Sequence, residues 1–164
     1  MTKPLRSYDY VNHPYEAVRD ALRSDARGLF QRATTVTAAR ADALHSQLHA
    51  RIGPLDVAAE VEIEVGAIAE EADAPNGGPA TRLTLSWQAV RHPGMFPVMN
   101  ATLSVYALTP GETQLDLEGH YEPPAGAVGR ALDAVAGHRL AEASVQQFVK
   151  EIATALRAEL GRRS

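Results

Sequence analysis

Histidine has an unperturbed pKa near neutrality, so it is the first place to look for acid–base or metal chemistry. His45 and His49 stand four residues apart. On a helix that spacing sets two imidazoles side by side, where they can share a metal. On a strand it separates them by about 13 Å, at ~3.3 Å per residue, and chelation by the pair alone fails. Leu44, Ser46, Leu48, Ala50 and Ile52 alternate with His45, Gln47, His49 and Arg51. That is period two, so the strand reading holds and both histidines fall on its wet face, with no metal site. His120 precedes Tyr121, but adjacent strand residues point to opposite faces, so they do not form a catalytic pair. His138 stands seven residues before Val145 and fourteen before Ile152. One continuous helix would put all three on nearly one face, from which His138 could serve as acid, base or hydrogen-bond donor. A break at Gly137 would reset that phase.

The aromatic residues suggest a binding surface. Trp87 and Tyr121 sit in apolar strand faces, and each carries a polar tip that needs a partner when buried. Core packing explains both as well as ligand contact does. Met95 and Phe96 follow the Pro93-Gly94 break and form either an apolar rim to a cavity or a plug at one end of the core. Phe148 and Ile152 lie on the apolar stripe of the last helix and complete the set of candidate contacts.

No residue is assigned a catalytic role. Ser, His and Asp are all present, but no spacing selects a triad. There is no Walker loop, no G-x-G-x-x-G and no H-E-x-x-H. Gly126-Ala127-Val128-Gly129 matches a GXXG loop only literally, without basic flanks beyond Arg130. Glu60, Glu62 and Glu64 crowd one strand face, which reads as a solvated face that discourages edge pairing.

The elements that must position these residues follow from periodicity. Tyr8, Tyr10 and Val11 belong to a first strand over residues 5–12, which His13-Pro14 ends. Pro14 suits the first turn of a helix. Ala17, Val18, Ala21 and Leu22 then share one helical stripe, and Leu29 and Phe30 anchor a second short helix. Residues 34–43 mix signals: Thr34-Thr35-Val36-Thr37 favours extended chain and the alanines and arginines after it favour helix. Period-two runs follow at 44–52, 57–67, 83–89, 101–105 and 115–121. The turn cluster Ala74–Pro79 and the tight turn Thr109-Pro110-Gly111-Glu112, which fits type II, separate some of them. Turns this short imply antiparallel neighbours, and one polar face per strand implies a sheet covered on one side. The cover is the C-terminal helix, whose apolar positions are Ala141, Val145, Phe148, Val149, Ile152, Leu156 and Leu160.

The totals narrow the function further. A chain of 164 residues fits one domain over 1–164, able to bury roughly 68–70% of its unfolded surface. A formal net charge of −4 argues against nucleic acid or an anionic membrane as the main partner. The absence of cysteine removes disulfides, thiolate nucleophiles and Cys-type zinc sites. No apolar run is long enough to span a bilayer, and Met1–Ser7 lacks the apolar region of a signal peptide. The expectation is a cytoplasmic protein with no integral membrane association. Oligomeric state is not legible.

Two stretches carry a family resemblance. Tyr8-Asp9-Tyr10-Val11-Asn12-His13-Pro14-Tyr15-Glu16-Ala17-Val18 looks like a first strand running through a proline into a first helix. Phe96-Pro97-Val98-Met99 and the run from Gly119 to Asp133 look like last strands and helix entry. With the order strand, two short helices, strands and long helix, the chain resembles the SRPBCC or START-like superfamily, which includes polyketide cyclase-like proteins. The resemblance implies an α+β helix-grip fold, in which a curved antiparallel sheet wraps a long C-terminal helix. It implies a cavity between sheet and helix, no obligatory cofactor and no universal catalytic residue. The expected partner is a small hydrophobic molecule touched by Trp87, Met95, Phe96, Tyr121, His138, Phe148 and Ile152. Two alternatives stay open: a cyclase- or dehydratase-like enzyme using His138 and Tyr121, and a protein-interaction domain whose cavity is filled by its own side chains.

Overall fold

The structure is a computed structural model and describes residues 3–33, 35–39, 43–52, 55–89, 98–122 and 134–163; side-chain surroundings are described for 3–30, 62–88, 98–122, 139 and 141–162. Strand β1 (Lys3–Val11) leads into helix α1 (Tyr15–Ala33). Six strands follow: β2 (Thr35–Ala39), β3 (Ala43–Ile52), β4 (Leu55–Glu71), β5 (Ala80–Ala89), β6 (Val98–Thr109) and β7 (Glu112–Glu122). Helix α2 (Ala134–Arg163) comes last.

The strands form one antiparallel sheet in the order β1-β7-β6-β5-β4-β3-β2. From β2 to β7 each strand pairs with its neighbour in sequence, as short connections require. Strand β1 is the exception: it lies against β7, so α1 carries the chain from one edge of the sheet to the other.

Proline explains where α1 begins. The Pro14 carbonyl accepts from the amides of Ala17 and Val18, at 3.1 and 3.2 Å. Tyr15, Val18, Ala21 and Leu22 bury one stripe of this helix. Asp25 then leaves helical geometry, at φ −159° and ψ 65°, and its Oδ1 accepts from the Gly28 amide at 2.9 Å. That is an N-cap bond, which starts a second helical segment. The two short helices expected from sequence are therefore present, meeting at the kink at Asp25, with Leu29 and Phe30 buried in the second. Tyr15 fastens the first segment to the sheet through a 2.8 Å hydrogen bond between its hydroxyl and that of Thr81.

Residues 35–39 resolve to strand β2, because pairing with β3 supplies partners that local propensity does not count. Strand β4 carries a register shift between Val65 and Ile68. The inward sequence Ile63, Val65 therefore continues at Ile68, and a plain alternation from 57 to 67 misses that step. The turn before β5 closes with the Gly77 amide donating to the Ala74 carbonyl at 2.8 Å, and Gly77 adopts φ +81°, where glycine meets no Cβ penalty. Pro110-Gly111 does join β6 to β7, but Gly111 lacks the positive φ of a type II turn. A register shift between Ala107 and Thr109 and a 3.2 Å bond from the Gly111 amide to Thr109 Oγ1 shape this turn instead.

Helix α2 is continuous through Gly137, so no break resets its phase. Every residue of the expected stripe from Ala141 to Leu160 is buried. The helix runs closest to β1, β3 and α1, which hold its flanks.

Candidate functional site

Four adjacent strands place one row of large side chains on the inward face. Tyr121 of β7 pairs with Met99 of β6, Met99 with Trp87 of β5, and Trp87 with Ile63 of β4. All four are at most 2% exposed. Trp87 and Tyr121 lie near the ends of β5 and β7, and Met99 near the start of β6, so the row sits at one end of the sheet. Phe148 of α2 meets it from above. Its ring centroid is 5.1 Å from that of Trp87 with planes tilted by 55°, and 5.9 Å from Phe30 of α1 with planes 25° apart. These are the tilted and near-stacked arrangements that the ring quadrupoles favour. The neighbouring row is Leu5, Gly119, Ala101, Leu85 and Val65, with its smallest residues at the centre. A Cβ at Gly119 would lie 2.4 Å from the Asn100 carbonyl oxygen, so the close strand contact there admits only glycine.

Tyr121 supplies the polar handle on this surface. Burial first, and then the negative charge of Glu142 on α2, push its phenol above the usual value. It therefore stays protonated at neutral pH and able to donate. The buried polar residues described are Ser7, Thr81, Thr113, Asp116 and Ser144. Of these only Asp116 is ionisable, and it points away from α2, between the inward residues Leu115 and Leu117. Among the described residues the inward face thus carries no buried charge, as the alternation of Leu115, Leu117 and Tyr121 implies.

Asp116 belongs to the opposite face. Its carboxylate accepts from Arg6 Nε at 3.0 Å and Arg6 Nη2 at 2.7 Å, with the Tyr106 hydroxyl at 3.5 Å. The Asp116 bond and charge, with help from Glu118, raise the Arg6 guanidinium further above its ordinary value. Burial, then Asp116, pushes up the Tyr106 phenol. A crease of about 1260 Å³ borders the sheet here, lined by outer-face residues such as Arg6, Glu64, Asn100, Glu118 and His120 and also by the row from Leu5 to Val65, while Ile63, Trp87, Met99 and Tyr121 are not among its lining residues. Its volume exceeds that of a usual small-molecule pocket.

The structure brings together four of the residues singled out from sequence. Trp87 touches Phe148, Tyr121 continues the Trp87 row, and Ile152 lies one turn beyond Phe148, fully buried. Met95 and Phe96 lie outside the described residues, as does the side chain of His138. The continuous helix does put position 138 in phase with Val145 and Ile152. His120 lies on the face away from Tyr121, at the border of the crease. His45 and His49 lie on a strand, β3, with side chains outside the described set. Among the described residues no group of three metal-ligating side chains comes together. The GXXG stretch at 126–129 lies outside the described residues.

Sequence reasoning missed Met99, Glu142 and the site role of Phe30. Met99 was within reach, because it extends the alternating set Ala101, Leu103, Val105 backwards by one step. Glu142 carries no such signal, since its position beside Tyr121 depends on how α2 crosses β7.

No protein-family model matches the sequence, and no curated protein does. Solved structures do match over nearly full length. A protein of Thermus thermophilus aligns at 19% identity and TM-score 0.55, covering 96% of this chain and 99% of that one. A conserved protein of Geobacillus kaustophilus aligns at 15% identity and TM-score 0.58, covering 97% of each. The Zhui aromatase/cyclase of Streptomyces sp. R1128 aligns at 14% identity and TM-score 0.54, covering 99% of this chain and 96% of that one. The chain has the helix-grip α+β fold of these structures. In helix-grip terms α2 is the gripped helix, β1 and β3 hold its flanks, and the Tyr121–Trp87 row faces it across the middle of the sheet. Among the described residues no helix is long and apolar enough to cross a membrane.

Proposed function

We propose that this protein binds a small apolar or aromatic molecule between the sheet and α2, at the end of the sheet where Tyr121, Met99 and Trp87 lie. The observation that carries this reading is the row itself: contiguous, apolar, backed by Phe148, free of buried charge, with one phenol as a hydrogen-bond handle. Mostly apolar surface with few convergent polar groups is the usual make-up of a small-molecule site. Met95, Phe96 and His138 are proposed as further contacts, since 90–97 connects β5 to β6 at this end and the continuous helix puts position 138 in phase with Val145 and Ile152. One structural neighbour is an aromatase/cyclase, which makes an aromatic ring system the first ligand class to try. Binding or carriage is favoured over turnover, because the described inward face carries no buried ionised group that could act as a base.

Native mass spectrometry of gently purified protein, with melting curves against neutral aromatic and lipid-like compounds, tests the reading. It expects a bound mass or a raised Tm for at least one compound class. No bound mass and no shift across the series would overturn it. The Phe30, Phe148 and Trp87 contacts would then be packing alone, as in a domain that fills its own cavity.

A further inference from the structure

Among the described residues, strand β1 has β7 on one side and no strand on the other. An open edge is a template for pairing with another chain, and proteins blunt such edges. Here Tyr10 has both main-chain groups taken by side chains. Its amide donates to Asp9 Oδ1 at 2.7 Å, and its carbonyl accepts from Arg157 Nη2 at 2.5 Å. Arg157 comes from α2, lies 3.6 Å from Asp9 Oδ1, and sets its guanidinium carbon 5.8 Å from the Tyr10 ring centroid. It therefore reaches across the edge where a second strand would lie.

The alternation of the ladder extends this pattern along the strand. Tyr10 turns its main-chain groups to the free edge, so Tyr8, Arg6 and Pro4 present theirs the same way. Pro4 has no N–H to offer, which is why a proline is tolerated there. The edge is thus blunted at one end by Pro4 and at the other by Asp9 and Arg157. Between them, among the described residues, no side chain caps the main chain of Arg6 or Tyr8. Tyr8 is 69% exposed and Tyr10 50%, so the strand also offers apolar surface to a partner.

We propose that Asp9 and Arg157 form an edge cap that keeps β1 from pairing antiparallel with β1 of a second copy of this chain. A two-fold axis at Ser7 would set Arg6 opposite Tyr8 and Tyr10 opposite Pro4. With the cap closed, only Arg6 and Tyr8 can exchange main-chain bonds. With it open, the Tyr10 amide also reaches the Pro4 carbonyl of the second copy, and the tyrosines pack across the new ladder.

Light scattering on size-exclusion eluates, over a wide concentration range, reads the result, and circular dichroism checks that each variant is folded. Arg157→Ala is expected to rise with concentration towards twice the mass of the wild-type species. Adding Tyr8→Pro is expected to return it to the wild-type mass, because that change deletes a free-edge donor and leaves the β7 ladder intact. Asp9→Ala is the second route and is expected to behave as Arg157→Ala. Folded variants that keep the wild-type mass overturn the proposal. So does association that Tyr8→Pro fails to reverse, since it would run through another surface.

Discussion

Phe148→Ala is the perturbation that probes the interior most sharply. The ring is 1% exposed and lies 5.1 Å from Trp87 and 5.9 Å from Phe30, centroid to centroid. Truncating a buried phenylalanine costs about 3–5 kcal/mol, which includes the cavity left behind. The two aromatic contacts account for ~0.5–1.5 kcal/mol each of that loss. Domains of this kind are stable by about 5–15 kcal/mol, so the variant stays folded but weakened. A urea m-value of ~2 kcal/mol/M turns the loss into a midpoint lower by about 2 M. The chain has a single tryptophan, so Trp87 emission reports both the transition and the local change. The cavity should also stay dry and accept a benzene-sized molecule, so benzene should raise the Tm of the variant more than that of the wild type. A loss below about 1 kcal/mol, with Trp87 emission unchanged, would refute the packing described.

Three further outcomes follow from the same geometry. Gly119→Ala is expected to destabilise by roughly 1–3 kcal/mol, because its Cβ meets the Asn100 main chain at 2.4 Å, while Gly66→Ala meets the side-chain Oγ1 of Thr84, which can rotate away, and is expected to cost less; equal urea midpoints would contradict this. The Tyr121 phenol is raised by burial and by Glu142, so above about pH 10 the unfolded chain ionises first, binds fewer protons than the folded one, and stability falls as pH rises. The stability advantage of wild type over Tyr121→Phe is therefore expected to shrink between about pH 9 and 11 in chemical denaturation, and a constant difference would exclude the effect. On the outer face, Arg6→Ala leaves the Asp116 carboxylate, 4% exposed, without its charged donors. Adding Asp116→Asn is expected to recover part of the loss, and a double variant no more stable than the single one would argue against a stranded charge.

Much of this architecture is legible in the chain because the period-two runs are long. Leu83, Leu85 and Trp87, like Leu115, Leu117 and Tyr121, face inward as their alternation implies, and the α2 stripe is buried throughout. What escapes the sequence is non-local. The shift between Val65 and Ile68 depends on pairing with β5, and the strand identity of 35–39 on pairing with β3. Two short helices are legible, but the cap that joins them is not: Asp25 shows as an N-cap only through its carboxylate accepting from the Gly28 amide. The first strand was legible, but Tyr8 and Tyr10 face solvent on it, while Leu5, Ser7 and Val11 face the core. Of the candidate site, Trp87, Tyr121, Phe148 and Ile152 could be named because each falls on a periodic apolar stripe. Met99 and Glu142 enter only through cross-strand and helix–sheet placement.

The proposed binding surface has its own reporter in Trp87, which contacts Phe148 and shares a row with Tyr121. Titrating the protein with neutral aromatic ligands and following Trp87 emission is the most direct measurement. A saturable one-to-one change is predicted, weaker in Tyr121→Phe for ligands that carry a hydrogen-bond acceptor. No saturable change with any ligand, in protein whose Trp87 remains buried and folded, would contradict a binding site between sheet and helix.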